Sequence, residues 1–277
     1  MRGEPLGLIA GSGDLPLLVA RGAVSAGRSV VCVGIHGCFD PRLPALCSQF
    51  EQAGLVQIGR WVRLLRRGGV REAVMVGGVR KTRMHDPWKL FRQVPDWRAA
   101  RLWYRRLRHD RRNHAVLAAV ADELALCGVP LMDSTTFIQD HLATSGVMGR
   151  VQPDAGSSAD MAFGWPLLLQ MVELDIGQSI AVRDRDVIAV EAIEGTDAMI
   201  ERAGQLCRTR GWTLLKTAKS AHDRRADVPT IGVATIERAA AAGCRSVALG
   251  SGRVILVDKS SVIASADRLG VALLGMG

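Results

Sequence analysis

The sequence predicts an α/β protein in two parts: a first half opened by a parallel βαβ unit, and a second half of mixed α/β structure. Three observations carry this. From residue 6 onward, short β-branched runs alternate with segments of helical period. Between Thr144 and Pro153 that period is lost while Gly146, Gly149, Pro153 and Gly156 accumulate, which divides the chain into domains 1–145 and 146–277. Beyond the division, apolar runs come in closely spaced pairs, as antiparallel hairpins require.

Bulk properties agree. The 277 residues are 48% hydrophobic, enough for two cores. A net charge of +9 favours an anionic partner: a nucleotide, a nucleic acid or an acidic membrane surface. Cys32, Cys38, Cys47, Cys127, Cys207 and Cys244 form no C-x-x-C pair, and several sit inside apolar runs. They read as small core residues in a reducing compartment, with neither zinc nor disulfides expected. The apolar run after Pro5 is too short for a signal peptide, and no stretch reaches the length of a membrane span, so a cytoplasmic protein is expected.

Leu6–Ala10 reads as a buried strand, Gly11-Ser12-Gly13 as a tight turn, and Asp14 as the cap of a helix with Pro16 in its first turn and Gly27 as its stop. Ser29–Gly34 is the second strand. The turn approaches the dinucleotide pattern G-x-G-x-x-G, but Pro16 occupies the third glycine position. Ile35-His36 stand where an acid would end the second strand, so both features argue against a nicotinamide-dependent oxidoreductase. What remains is a set of backbone N–H groups at a helix start, a general anion site. A need for positive φ would account for Gly11 and Gly13 without any ligand.

Leu55–Ile58 and Ala73–Val76 are expected as the next strands, separated by the basic stretch Arg60–Arg71. Gly77-Gly78, followed by Arg80 and Lys81, is a second candidate for phosphate or sugar contact. From residue 85 to 112, Trp88, Trp97, Trp103 and Tyr104 are interleaved with eight arginines. Such a segment could stack on RNA bases, lie at a bilayer interface, or form a helix that buries Leu102 and Trp103. Asn113–Cys127 is an amphipathic helix closed by Gly128. Val129–Met132 is a strand ending on Asp133-Ser134-Thr135, which suits ligand contact or a helix cap.

In the second half a helix is expected over Asp160–Leu174, with any interruption at Pro166, then a turn at Asp175–Gln178. Ser179–Val182 and Val187–Val190 form a hairpin that delivers Glu191 and the cluster Glu194-Gly195-Thr196-Asp197. A helix over Asp197–Arg210 follows, capped by Thr196 or Asp197. After a further apolar run, Lys219, Asp223, Arg225 and Asp227 fall within nine residues, a mixture of signs suited to a phosphate and a hard cation, or to a plain surface loop. Ile231–Ala242 reads as a helix, Ser246–Leu249 and Arg253–Val257 as a hairpin, Lys259–Leu269 as a helix and Val271–Leu274 as a last strand.

Four of these stretches resemble one family: Leu6–Pro16, Leu174–Gln178, Ala189–Met199, and Lys219 through Asp227-Val228-Pro229-Thr230-Ile231-Gly232 to Thr235. In unbroken order they are similar to the LpxI-type UDP-2,3-diacylglucosamine pyrophosphatases of lipid A synthesis. The resemblance implies a Rossmann-like N-terminal domain, a family-specific C-terminal domain, a homodimer, and Mg²⁺-dependent hydrolysis of UDP-2,3-diacylglucosamine to UMP and 2,3-diacylglucosamine 1-phosphate. It makes Asp227 the essential acidic residue. Ser220 and His222 depart from the proline and glutamine common in the family, and residues 97 to 112 are richer in arginine than the family pattern.

Hydrolysis of a diphosphate is accelerated chiefly by positioning and by neutralising its oxygens. Mg²⁺ takes one or two carboxylates plus substrate oxygens, a need met by Asp227 with Asp197 or Asp223. An aspartate with a reference pKa of about 3.9 is a weak base at neutral pH, so Asp227 is assigned to the metal or to orienting water. Lys219 and Arg225 would hold phosphate oxygens, with Gln178, Thr196, Asp197 and Thr230 completing the substrate contacts. Gly11, Ser12, Gly77, Gly78 and Asp133 would face the nucleotide or sugar across a cleft between domains. The arginines of 98 to 112 would touch an anionic inner-membrane surface, and no nucleic acid is expected. No stretch of sequence identifies where two acyl chains would lie.

Overall fold

Parallel strands need both faces covered and therefore read as continuous apolar runs, and the first half obeys this except at its edge. The structure, a computed structural model, describes residues 3–78, 95–108, 113–219, 225 and 228–277. Two compact units are present, one from Met1–Gln139 with Asp223–Asp227, the other from Asp140–His222 with Val228–Gly277.

In the first unit β1 (Gly3–Ala10), β2 (Arg28–Ile35), β3 (Gln49–Ala53) and β4 (Ala73–Val76) form a parallel sheet in the order β3-β2-β1-β4. This is the order of the first four strands of the doubly wound nucleotide-binding fold. The third strand is Gln49–Ala53, not Leu55–Ile58. It lies on the sheet edge, where Gln49, Glu51 and Gln52 stay exposed, so it carries no apolar run to betray it. Residues 55–57 instead turn into α2 (Ile58–Arg67), whose Ile58, Trp61, Val62 and Leu65 are buried at helical spacing while arginines line the other face. Asp14 occupies the cap position of α1 (Leu15–Ser25) without a side-chain cap bond; its carboxylate pairs with Arg42 at 2.7 Å.

Asp96 caps α3 (Trp97–Leu102) by accepting from the Ala99 N–H at 3.0 Å. A π turn, Trp103–Leu107, follows, then α4 (Asn113–Leu126). Leu102 is buried as expected, but Trp103 is half exposed. The expected strand Val129–Met132 shrinks to one parallel bridge from Leu131 to Ala73, because Asp133 ties the chain into a turn by accepting from the Thr135 N–H and hydroxyl.

The second unit is built on a six-stranded mixed sheet. Its elements are β5 (Gly146–Val147), α5 (Ala155–Glu173), β6 (Ser179–Arg183), β7 (Asp186–Val190), α6 (Thr196–Leu206), β8 (Trp212–Lys216), β9 (Thr230–Ile231), α7 (Val233–Ala241), β10 (Cys244–Gly250), β11 (Ile255–Leu256), α8 (Lys259–Arg268) and β12 (Ala272–Met276). The sheet order is β5-β12-β10-β8-β6-β7. α5 starts at Ala155 rather than Asp160, since Asp154 caps it through the Ser157 N–H at 2.7 Å, and it runs through Pro166 without a break. The β6–β7 hairpin turns through Asp184 and Arg185 with φ of 53° and 61°, the two positive values of a type I′ turn.

Two expectations fail here for identifiable reasons. β11 does not fold back on β10. The link after Gly250 is drawn elsewhere, by Ser251 N–H on the Met276 carbonyl (2.7 Å) and Gly252 N–H on that of Ala143 (2.8 Å), and β11 pairs in parallel with β9. α6 ends at Leu206, and the unassigned apolar run after it is β8, a central strand with fully buried Trp212. β6 is antiparallel to both β7 and β8, while β8, β10 and β12 are parallel. The carboxyl ends of β7, β8, β10 and β12 therefore share one edge with the amino end of β6.

Candidate active site

In sheets of this kind ligands are bound at the carboxyl ends of the parallel strands. Three connections of the second unit meet at that edge: Asp175–Gln178 before β6, Glu191–Thr196 after β7, and Thr217–Lys219 after β8. Gly177 lies so close to Glu191 that a Cβ there would stand 2.0 Å from the Glu191 carbonyl oxygen, so only glycine lets these two connections touch. The Gln178 carbonyl accepts the Thr217 N–H at 3.0 Å. Asp175, at φ 58°, pairs with Lys219, Nζ to Oδ1 at 2.7 Å.

Beneath these contacts is a buried polar network. The Thr196 hydroxyl donates to Glu191 Oε1 at 2.9 Å and accepts from Lys216 Nζ at 2.7 Å. Lys216 Nζ stands 3.6 Å from Glu191 Oε2, which also accepts the Ser179 hydroxyl. Thr196 is thus not the cap of α6; Gly195, at φ 86°, fills that position, and the Thr196 side chain turns inward to the ion pair. The neighbouring Glu194 carboxyl is held below its ordinary range, first by its own backbone N–H and then by Arg202, which it meets at 2.9 Å.

Of the residues singled out from the sequence, Gln178, Thr196 and Lys219 are therefore brought to one edge. Asp197 points elsewhere: it is 3.4 Å from Arg238, which also holds Glu201 at 2.6 Å. Thr230 stands exposed on β9, paired with Ile255. Arg225 belongs to the first unit and approaches Asp122 of α4 at 4.0 Å. Asp223 and Asp227 lie outside the described residues. Among the described residues no group of three or more His, Cys, Asp or Glu side chains could hold a metal ion.

In the first unit, Gly11, Ser12, Gly77 and Gly78 do come together. The Gly11 N–H donates to Val76 O (2.9 Å), and Ser12 and Gly78 exchange backbone bonds of 2.8 and 2.9 Å. The Ser12 hydroxyl donates to the Gly78 carbonyl as well. A Cβ on Gly11 would meet the Gly77 and Gly78 backbone at 2.6 to 2.8 Å, so close approach of β1 and β4 already requires glycine there. Asp133 follows the Leu131 bridge and so lies towards the same carboxyl edge.

Ser179 and Lys216 are not among the residues the sequence marks for a site, and Glu191 has no expected role there. Each ends an apolar row with period 2, Ala181-Ser179, Ala189-Glu191 and Trp212-Leu214-Lys216, and a polar residue closing three such rows was the available signal.

Comparison with known proteins bears on this edge. A family model described as the LpxI N-terminal domain matches residues 5–141, and one described as the LpxI C-terminal domain matches residues 144–274. The protein named UDP-2,3-diacylglucosamine pyrophosphatase LpxI from Caulobacter vibrioides is 32% identical over 279 residues, covering 98% of this chain and 97% of that protein.

Proposed function

The chain belongs to the LpxI family, and from that premise we propose that it hydrolyses the diphosphate bridge of UDP-2,3-diacylglucosamine to UMP and 2,3-diacylglucosamine 1-phosphate. The observation that carries the proposal is the meeting of three connections at one sheet edge: Asp175–Gln178, Glu191–Thr196 and the segment ending on Lys219. The first two lie within stretches that resemble the family, and the third ends on Lys219, where another such stretch begins.

Water cleaves one P–O bond of the bridge, and each product keeps a phosphomonoester. The barrier falls when the oxygens that gain charge face fixed cations and donors. Lys219 fits this role: its side chain is about one-quarter exposed and its ammonium is held by Asp175, which a phosphate oxygen would replace. Magnesium is part of the proposal, with hard oxygen donors from Asp223 and Asp227; when bound it would neutralise diphosphate oxygens. Exposed Leu174, Ile176 and Ile193 sit on the connections that frame the polar edge and would receive acyl chains.

Incubation with UDP-2,3-diacylglucosamine and Mg²⁺ should release UMP, and a folded protein that releases none would refute the proposal. A homodimer is proposed as well, to be checked by light scattering. The exposed Trp97, Trp103 and Tyr104, set among Arg98, Arg101, Arg105 and Arg106, favour peripheral contact of a cytoplasmic protein with an anionic bilayer. Among the described residues no helix is long and apolar enough to cross a membrane. Sedimentation with phosphatidylglycerol vesicles should show salt-sensitive binding; its absence would remove the membrane contact alone.

A further inference from the structure

Ser179, Glu191 and Lys216 close three neighbouring strands and are buried, at 0, 8 and 3% exposure. Ser179 pairs directly with Lys216 across β6 and β8, and the Glu191 N–H donates to the Ser179 carbonyl at 2.9 Å. The rows they end, Ala181, Ala189 and Trp212 with Leu214, pack into the same apolar core as Met199, Ile200 and Ala203 of α6. Such a core does not need ions for stability. Replacing a buried ion pair by apolar groups of similar volume is often neutral or stabilising.

What the polar row adds is direction. Thr196 is gripped from both sides, its proton given to Glu191 and its lone pair taken by Lys216. It follows directly on Gly195, whose backbone is in a region glycine adopts most readily. Resting on the hydrolase reading above, we infer that Ser179, Glu191 and Lys216 are positioning residues. They fix the Thr196 hydroxyl, and with it the loop Glu194–Asp197, on the edge that carries Lys219. The loop and Lys219 are then already set in place when the diphosphate arrives, where a mobile loop would have to be ordered during the reaction.

Two variants test this on the full-length protein with UDP-2,3-diacylglucosamine and Mg²⁺. Thr196→Val removes the hydroxyl and leaves the ion pair; Lys216→Met with Glu191→Gln removes both charges. Each should lower kcat about 10- to 100-fold, the range for loss of a supporting hydrogen bond at a site. KM should move less than about threefold, since the lost term is orientation in the reaction and not ground-state binding. Adding Thr196→Val to the double variant should cost little more, because both act through one hydroxyl. Wild-type kcat in Thr196→Val or in the folded double variant, or losses that multiply in the triple variant, would overturn the inference. Should the double variant not fold, Thr196→Val decides alone, its melting temperature expected within about 3 °C of wild type. A wild-type protein that releases no UMP would overturn the hydrolase reading and this inference with it.

Discussion

Lys216→Met takes away the ammonium that faces Glu191 and leaves a carboxylate buried. The side chains of Lys216 and Glu191 are 3% and 10% exposed, with Nζ 3.6 Å from Oε2 and 2.7 Å from the Thr196 hydroxyl oxygen. Removing one partner of a buried pair costs about 3–5 kcal/mol. The pair is longer than a direct hydrogen bond, and the Ser179 and Thr196 hydroxyls still donate to the carboxylate. The lower end, about 3 kcal/mol, therefore applies. At about 2–4 °C per kcal/mol for a chain of this size, the melting temperature falls by ~6–12 °C in scanning calorimetry. Adding Glu191→Gln should return the variant to within about 1 kcal/mol of wild type, because the Glu191 carboxylate is then no longer buried without its ammonium. A single Lys216→Met variant that melts within about 2 °C of wild type would refute the claim that Glu191 depends on Lys216 for its burial.

Gly177→Ala forces a methyl against the Glu191 carbonyl and should cost ~2–3 kcal/mol by overpacking, read as a lower urea midpoint, with a fall in UMP release because two site connections move apart. Asp154 is held at about 2, below its ordinary 3.8, first by the Ser157 N–H and then by Arg245. A depressed carboxyl stabilises the fold above pH 3.8 and loses that contribution as pH falls towards 2. Asp154→Ala should thus cost about 0.5–2 kcal/mol at neutral pH, nearly all from the cap because the Arg245 pair is solvent-screened, and should flatten the acid limb of the pH–stability curve; an unchanged acid limb would refute the assignment. Asp227→Ala should keep its circular dichroism and lose at least ~100-fold in turnover; unfolding would move Asp227 from chemistry to structure. Chelation of divalent ions should abolish UMP release, and full activity in chelator would remove magnesium from the proposal.

The sequence by itself determined the α/β class, the βαβ opening at Leu6–Gly34, the Ser179–Val190 hairpin and the family, because buried strands and glycine turns write short, local patterns. It also marked Gln178, Thr196 and Lys219, since polar residues after apolar runs stand out. It missed β3, which as a polar edge strand lacks an apolar run, and it mispaired β11, because a strand's partner is chosen by long-range hydrogen bonds that leave no local mark. Only the tertiary structure turned Thr196 from a helix cap into the middle of a buried Glu191–Lys216 bridge. It also separated Asp197 from that bridge by giving it to Arg238. The physical reason is that the polarity of a side chain can be read along the chain, whereas its partner is set by sheet order and register. That order places β6 between β7 and β8 and so brings Ser179, Glu191 and Lys216 side by side.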